Sequence, residues 1–240
     1  MKSKNAPPAA AVLVAAGRGR RFGGPKAFAR LGAKPLALRP LELLAGHPDI
    51  ARVVLVAPGN GVQQGKRLLL RAGVSGERGK AVKGGMTRHA SVRRGVEALG
   101  DWHGLVLVHD AARPLVKKEH VTAVLRAAAS YGAAALARPI VDTIARSKRS
   151  GTAEGPPTVA GYARREKLCA VETPQAFRRS WWELALGKFP RRSGWTDETT
   201  LLRAAGLPVR LVCHDGFNPK ITTREDLEIA ERLVRTRGGR

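Results

Sequence analysis

Along this chain, short apolar runs alternate with longer stretches in which apolar residues recur every three or four positions. Ala11–Ala16 reads as a buried strand, followed by strands at Arg52–Ala57 (RVVLVA), Gly104–Val108 (GLVLV) and Ala133–Ala137. Between them, the spacing predicts helices. One covers Pro35–Ala45, with Leu36, Leu38, Leu41, Leu43 and Leu44. A second covers Gln63–Ala72. A third is capped by Thr87 and runs to Leu99, with Val92, Val96 and Leu99 on its apolar face. A fourth covers Lys117–Tyr131. This alternation predicts an α/β fold, a mainly parallel twisted sheet with helices on both faces.

The rhythm breaks between about residues 138 and 173. There PIVDTIAR, PTVAGYA and LCAVET are short β-like pieces around a polar loop rich in Ser, Gly, Lys and Pro. They predict a β excursion away from the main sheet. Beyond it come helices at Arg178–Gly187 and Asp197–Ala205 and a strand at Pro208–Cys213. A last helix, Arg224–Arg235, is expected to start on a capping box of Thr222 and Glu225. No internal repeat or long linker interrupts the pattern. Residues 1–240 are expected to form a single domain with the β excursion inserted at about 138–173.

Composition changes this picture in one respect. Lys and Arg total 43 against 19 acids, a net charge of +24. Such a surplus suits polyanionic partners, although the basic residues are spread along the chain without a block. A basic nucleic-acid-binding protein is the rival class. It lacks support from any basic stripe interleaved with aromatics, zinc spacing or helix-turn-helix pattern, so no specific nucleic-acid partner is expected. The run AAAVLVAA is followed at once by the cationic GRGRR, which is unfavourable for export, and no stretch approaches the roughly 18 apolar residues that span a bilayer. No membrane partner is expected. The two cysteines, Cys169 and Cys213, lack metal-ligand spacing and read as small buried thiols of a reducing cytoplasm.

The candidate chemistry begins at VLVAAGRGRRFGGPK, Val12–Lys26, where a strand runs into a glycine-rich basic loop. It is not a P-loop, because Pro25 precedes Lys26 and Ala27 follows. It is not a dinucleotide fingerprint, because Phe22 stands where a glycine is needed. What survives is a loop whose backbone N–H groups can converge on an anion, with Arg20, Arg21 and Lys26 to neutralise phosphate charge. In VLVHDAARP, the strand ends in Asp110, which can hold Mg²⁺ or a substrate hydroxyl, and Arg113 follows three residues on. His109 reads as structural. GGMTRHASV is a glycine turn into a helix, with Ser91 in its first turn. Thr196 and Asp197 sit at a helix start, and Lys220 follows the last strand.

Taken in order, these segments resemble the 2-C-methyl-D-erythritol 4-phosphate cytidylyltransferase family. The resemblance lies in AAGRGRRFGGPK, GGMTRHASV, VHDAARP, PIVDTIAR, ETPQAF, TDETTLL and NPKITTREDL, which cover the chain from about residue 11 to 235. It implies a nucleotide-diphospho-sugar transferase-like α/β fold and a homodimer in which the β arm reaches over the neighbouring subunit. The implied reaction joins CTP to methylerythritol phosphate and releases pyrophosphate. A relative acting on another polyol phosphate, such as ribitol 5-phosphate, is the alternative.

The resemblance also implies roles. Ala15, Ala16 and Gly17 would contact the nucleotide through backbone, and Gly85 and Ser91 would hold its cytosine and ribose end. Arg21, Lys26 and Lys220 would be the catalytic cations around the reacting phosphorus. Asp110, Arg113 and Thr196 would orient the polyol. Thr143 and Arg165 would come from the partner's arm, with Arg165 on the substrate phosphate. Mg²⁺ would be held mainly by CTP phosphates, with Asp110 as a candidate ligand. Ala27, Met86 and Cys169 depart from the family pattern, and Met86 leaves the base contact to backbone groups.

Overall fold

In a computed structural model of the protein, residues 7–17, 19–148, 156–190 and 194–238 are described. The chain order is β1 (Ala9–Val14), β2 (Arg30–Leu31), β3 (Lys34–Pro35), α1 (Leu38–Ala45), β4 (Ile50–Ala57), α2 (Val62–Arg71), β5 (Gly79–Lys83), α3 (Arg88–Glu97) and β6 (Leu105–Asp110). Then follow α4 (Lys118–Tyr131), β7 (Ala133–Pro139), β8 (Ile144–Lys148), β9 (Thr158–Ala163), β10 (Cys169–Arg178), α5 (Arg179–Lys188), α6 (Glu198–Ala204), β11 (Arg210–Cys213) and α7 (Arg224–Gly238).

The main sheet has the order β11-β7-β10-β6-β1-β4-β5, and only β10 runs against its neighbours. Alternation along β1 divides the core. Ala9, Ala11 and Leu13 face α1, α2 and α4, whereas Ala10 and Val12 face α3, α5 and α6. With both faces covered, β1 and β6 read as almost unbroken apolar runs, as buried parallel strands do. Trp182 of α5 is 2% exposed and stacks on Phe177 of β10 at 5.2 Å. A third cluster, including Phe22, Leu31, Leu36, Ile221 and Ala230, seats α7 against the β2–β3 hairpin.

The topology fixes where a ligand can go. From β1 the chain builds outward to β4 and β5, then returns to the other side of β1 as β6. Such a reversal opens a crevice at the carboxyl ends of the strands. Register brings those ends level: Val14 lies opposite Val56 and Asp110, and Ala57 lies opposite Lys83.

Several sequence expectations need correction. LCAVET does not belong to the excursion. It opens β10, which enters the main sheet between β6 and β7. Its first buried residues, Glu172 and Thr173, are polar, as is Gln175, so the run lacked an apolar signature. The excursion itself is the β8–β9 ribbon, a separate two-stranded sheet, and the polar loop at 149–155 lies outside the described residues. Strand β5 was not expected, because GKAVK is a half-exposed edge strand flanked by lysines. The last helix starts on Thr223 and Asp226, not on Thr222 and Glu225. Asp226 accepts from the Thr222 and Thr223 backbone N–H groups, and Thr223 Oγ1 accepts from Asp226 N. Cys169 is half-buried and Cys213 exposed, so neither is a core thiol.

Candidate functional site

The carboxyl-edge crevice is a cleft of about 1100 Å³. Its walls come from the loops after β1, β4, β5 and β6 and from the Lys220–Thr222 segment before α7. Ala15, Ala16, Gly17, Arg21, Lys26, Gly85, Ser91, Asp110 and Lys220 all line it. Arg113, Thr143, Arg165 and Thr196 do not.

The loop after β1 is held open by glycine geometry. Gly19 has φ +61°, and a Cβ there would collide with the carbonyl of Gly24. The Gly19 carbonyl accepts from Phe22 N and Gly24 N, which folds the loop back on itself. Opposite, Gly84 N donates to Ala57 O at 2.8 Å. A side chain at Gly84 would strike Ala16 Cβ, so the two loops can approach only because that position is bare. Ser91 shapes the same turn: its Oγ accepts from Gly85 N at 3.0 Å and donates to Thr87 O at 2.9 Å. Thr87 caps α3 by accepting from Ala90 N, as the sequence predicts.

Charge is the dominant property of the cleft. Arg21, Lys26, Lys83, Arg88, Arg94 and Lys220 line it, and Asp110 is the one acid among the lining residues. Asp110 ends β6 with its side chain 8% exposed, held between Arg88 Nε at 2.9 Å and Lys220 Nζ at 2.6 Å. Thr173 Oγ1 accepts from its backbone N–H. Burial alone would raise the Asp110 carboxyl, but Arg88 and Lys220 outweigh it and hold the group well below the usual carboxylate range. It therefore stays ionised. Lys26 donates to Ile221 O at 2.7 Å, next to Lys220. Burial and the charges of Lys220 and Arg21 push its ammonium below the ordinary lysine value, against the pull of Asp110. A cluster of cations this close is set to receive an anion of high charge.

Arg88 was not singled out from the sequence. It is the first residue of α3, where the helix dipole disfavours a cation. That misplaced charge is the sequence signal, and its compensation lies in α6: Arg88 grips Glu198 with two hydrogen bonds of 2.7 and 3.1 Å. Burial opposes the Arg88 charge, but Glu198 and Asp110 overcome this and raise its pKa. Arg94 and Lys83 were also missed. Arg94 donates to Gly84 O at 2.6 Å and so braces the turn from outside.

The remaining expected residues lie beyond the cleft. Arg113 donates to Asn218 O at 2.6 Å and lies 3.5 Å from Glu172. That contact ties the β6 end to the segment carrying Lys220. His109 is fully buried beside it and shares a hydrogen bond with Arg113 O, the structural role expected. Thr196 is exposed just ahead of α6, whose cap is Asp197, which accepts from Thr200 N. Thr143 and Arg165 are exposed at the root of the ribbon, and Arg165 donates to Val141 O at 2.7 Å. The Arg20 side chain lies outside the described residues.

Among the described residues no group of three His, Cys, Asp or Glu side chains can hold a metal by itself. The donor set fits another arrangement. Each Asp110 oxygen accepts one hydrogen bond here and keeps a further lone pair. One such carboxylate, with phosphates and water, suits Mg²⁺.

The family model described as 2-C-methyl-D-erythritol 4-phosphate cytidylyltransferase matches residues 9–236. A relative of that name from Deinococcus radiodurans is 40% identical, covering 96% of this chain and 91% of its own length. Another, from Pelotomaculum thermopropionicum, is 37% identical and covers 96% of each. The solved structure of 2-C-methyl-D-erythritol 4-phosphate cytidylyltransferase from Thermus thermophilus is 34% identical with a TM-score of 0.71, covering 94% of this chain and 98% of that one. The chain also matches longer bifunctional relatives, of which it spans about half the length.

Proposed function

The chain belongs to the 2-C-methyl-D-erythritol 4-phosphate cytidylyltransferase family, and from that premise we propose that it joins CTP to 2-C-methyl-D-erythritol 4-phosphate. The products are 4-diphosphocytidyl-2-C-methyl-D-erythritol and pyrophosphate. The observation that carries this reading is the convergence of Arg21, Lys26 and Lys220 on one glycine-walled cleft with Asp110 among them.

The chemistry needs no enzyme nucleophile. A phosphate oxygen of the polyol attacks the α-phosphorus of CTP in line, forming one P–O bond as the bond to the pyrophosphate oxygen breaks. Both partners are anions, so the demand on the protein is to bring them together and to neutralise the charge that builds at the phosphorus. Arg21 and Lys26, on the loop after β1, serve the triphosphate, and Lys220 joins them from the adjoining segment before α7. The backbone of Ala15, Ala16 and Gly17 carries the nucleotide, with Gly85 and Ser91 at its base and ribose end. Met86, 80% exposed on the cleft rim, offers no acid to the base, so cytosine is recognised through backbone groups. Asp110 holds Lys220 in place before substrate arrives, and its carboxylate would be the protein ligand of Mg²⁺, which would supply charge neutralisation for the nucleotide.

The same reading makes the protein a homodimer. On or near the β8–β9 ribbon, Val141, Val159 and Tyr162 are 67%, 55% and 66% exposed, an apolar surface that a second copy would cover. Arg165 and Thr143 then act on the partner's polyol phosphate, with Arg113 and Thr196 on the cleft's own side. No helix among the described residues is long and apolar enough to cross a membrane. A cytoplasmic location follows from this reading. Pyrophosphate release that requires both CTP and methylerythritol phosphate is the test.

A further inference from the structure

We propose that the Arg88–Glu198 ion pair is a positioning device that couples the nucleotide side of the cleft to the polyol side. The proposal rests on the function just described and assigns residues for which that function states no role. Arg88 sits directly after the Gly84–Thr87 turn and lines the cleft, while Glu198 opens α6, directly after Thr196 and Asp197. Neither Glu198 nor Thr196 lines the cleft. The polyol-side segment therefore meets the nucleotide-side turn through this bridge.

The bridge is built to move as a unit. Glu198 is 1% exposed, and its two oxygens take the Nη1 and Nη2 groups of Arg88 in a fork, a geometry lysine cannot copy. The third guanidinium donor, Nε, goes to Asp110 Oδ1. A rotation of Arg88 would strand a buried carboxylate, so displacement of the Gly84–Thr87 turn must carry the start of α6 with it. Asp197, the cap of α6, also accepts from Gln175 Nε2 at 3.1 Å. Asp110 is the pivot: Arg88 fixes one oxygen, leaving the other to exchange Lys220 for a ligand. Nucleotide seated on the turn thus sets both the aim of Asp110 and the place of Thr196.

The consequence is a thermodynamic coupling that must be equal in both directions. The experiment measures dissociation constants for methylerythritol phosphate with and without saturating α,β-methylene CTP and Mg²⁺, by calorimetry on the full chain. In the unaltered protein the nucleotide analogue should tighten polyol phosphate binding by about fivefold or more. Glu198→Gln should bring that ratio to within about twofold of unity while nucleotide affinity alone stays within about threefold, and Arg88→Lys should independently bring the ratio to the same range. Glu97→Gln, which removes the same charge from the exposed Arg93 pair on α3, should leave the ratio unchanged. Folding is checked by circular dichroism, and Arg88→Lys carries the test if Glu198→Gln unfolds. A merely structural bridge would weaken both ligands alike or lower only the melting temperature, and either result overturns the proposal. So does full coupling in both variants. Unaltered protein that binds neither ligand would instead overturn the proposed function, and the coupling with it.

Discussion

Lys220 donates to Asp110 at 2.6 Å across 110 residues of sequence. That contact joins the end of a central strand to the segment entering the last helix. It places a cation on the wall of the cleft, paired on one side with a buried carboxylate.

Lys26→Ala and Lys220→Ala should each lower kcat by about 10²–10³-fold, the size of effect expected when one charge-stabilising donor is lost. Neither should unfold the protein, since Asp110 keeps Arg88 when Lys220 is gone. Steady-state kinetics beside thermal unfolding reads both. Near-normal rates in both variants would contradict the assigned roles.

In the proposed reaction Lys26 acts as an ammonium, and burial with neighbouring cations lowers its pKa. Activity that needs the charged form is complete below that pKa and is lost as pH rises through it. The alkaline limb of kcat/KM for CTP should therefore fall below the ordinary lysine value of about 10.4. Lys26→Arg should move the limb to higher pH. An unchanged limb in that variant would show that another group titrates there.

His109 is buried beside Asp110, and burial lowers its pKa from 6.5 to about 4. The unfolded chain then binds the proton first as pH falls. Stability is complete above pH 6.5 and declines toward pH 4 by about 3 kcal/mol from this residue. Urea unfolding at pH 7 and pH 5 should show that slope, and His109→Gln should flatten it. His47, His89 and His120, also lowered by burial, add in the same direction.

The ribbon predicts complementation. Arg165→Ala and Lys26→Ala subunits should each be poorly active alone, whereas subunits unfolded and refolded together should regain activity in hybrid sites. Activity no greater than the sum of the separate variants would place Arg165 in its own subunit's site.

The layered α/β core was legible because β1, β4 and β6 are buried on both faces and helices α3 and α4 carry clean apolar stripes. The glycine-walled basic loop was legible because glycine and cation placement is local. What escaped depended on distant partners. Strand β10 carries Glu172, Thr173 and Gln175 into the sheet interior, where His214, Asn218 and Asp197 bond to them, so its burial could not be read from hydrophobicity. Arg88 and Glu198 stood in segments already singled out, yet their contact spans 110 residues. Thr196 and Arg165 are exposed outside the cleft, so the roles given them rest on the resemblance.

The activity proposed for this protein is a CTP-dependent transfer to methylerythritol phosphate. Pyrophosphate release by the purified protein with Mg²⁺ tests it most directly, using methylerythritol phosphate or ribitol 5-phosphate with each of CTP, UTP, ATP and GTP. Release with CTP and methylerythritol phosphate should be at least about tenfold faster than with any other pair, and should be lost when EDTA removes the metal. Equal or faster release with ribitol 5-phosphate, or none with methylerythritol phosphate, would contradict it.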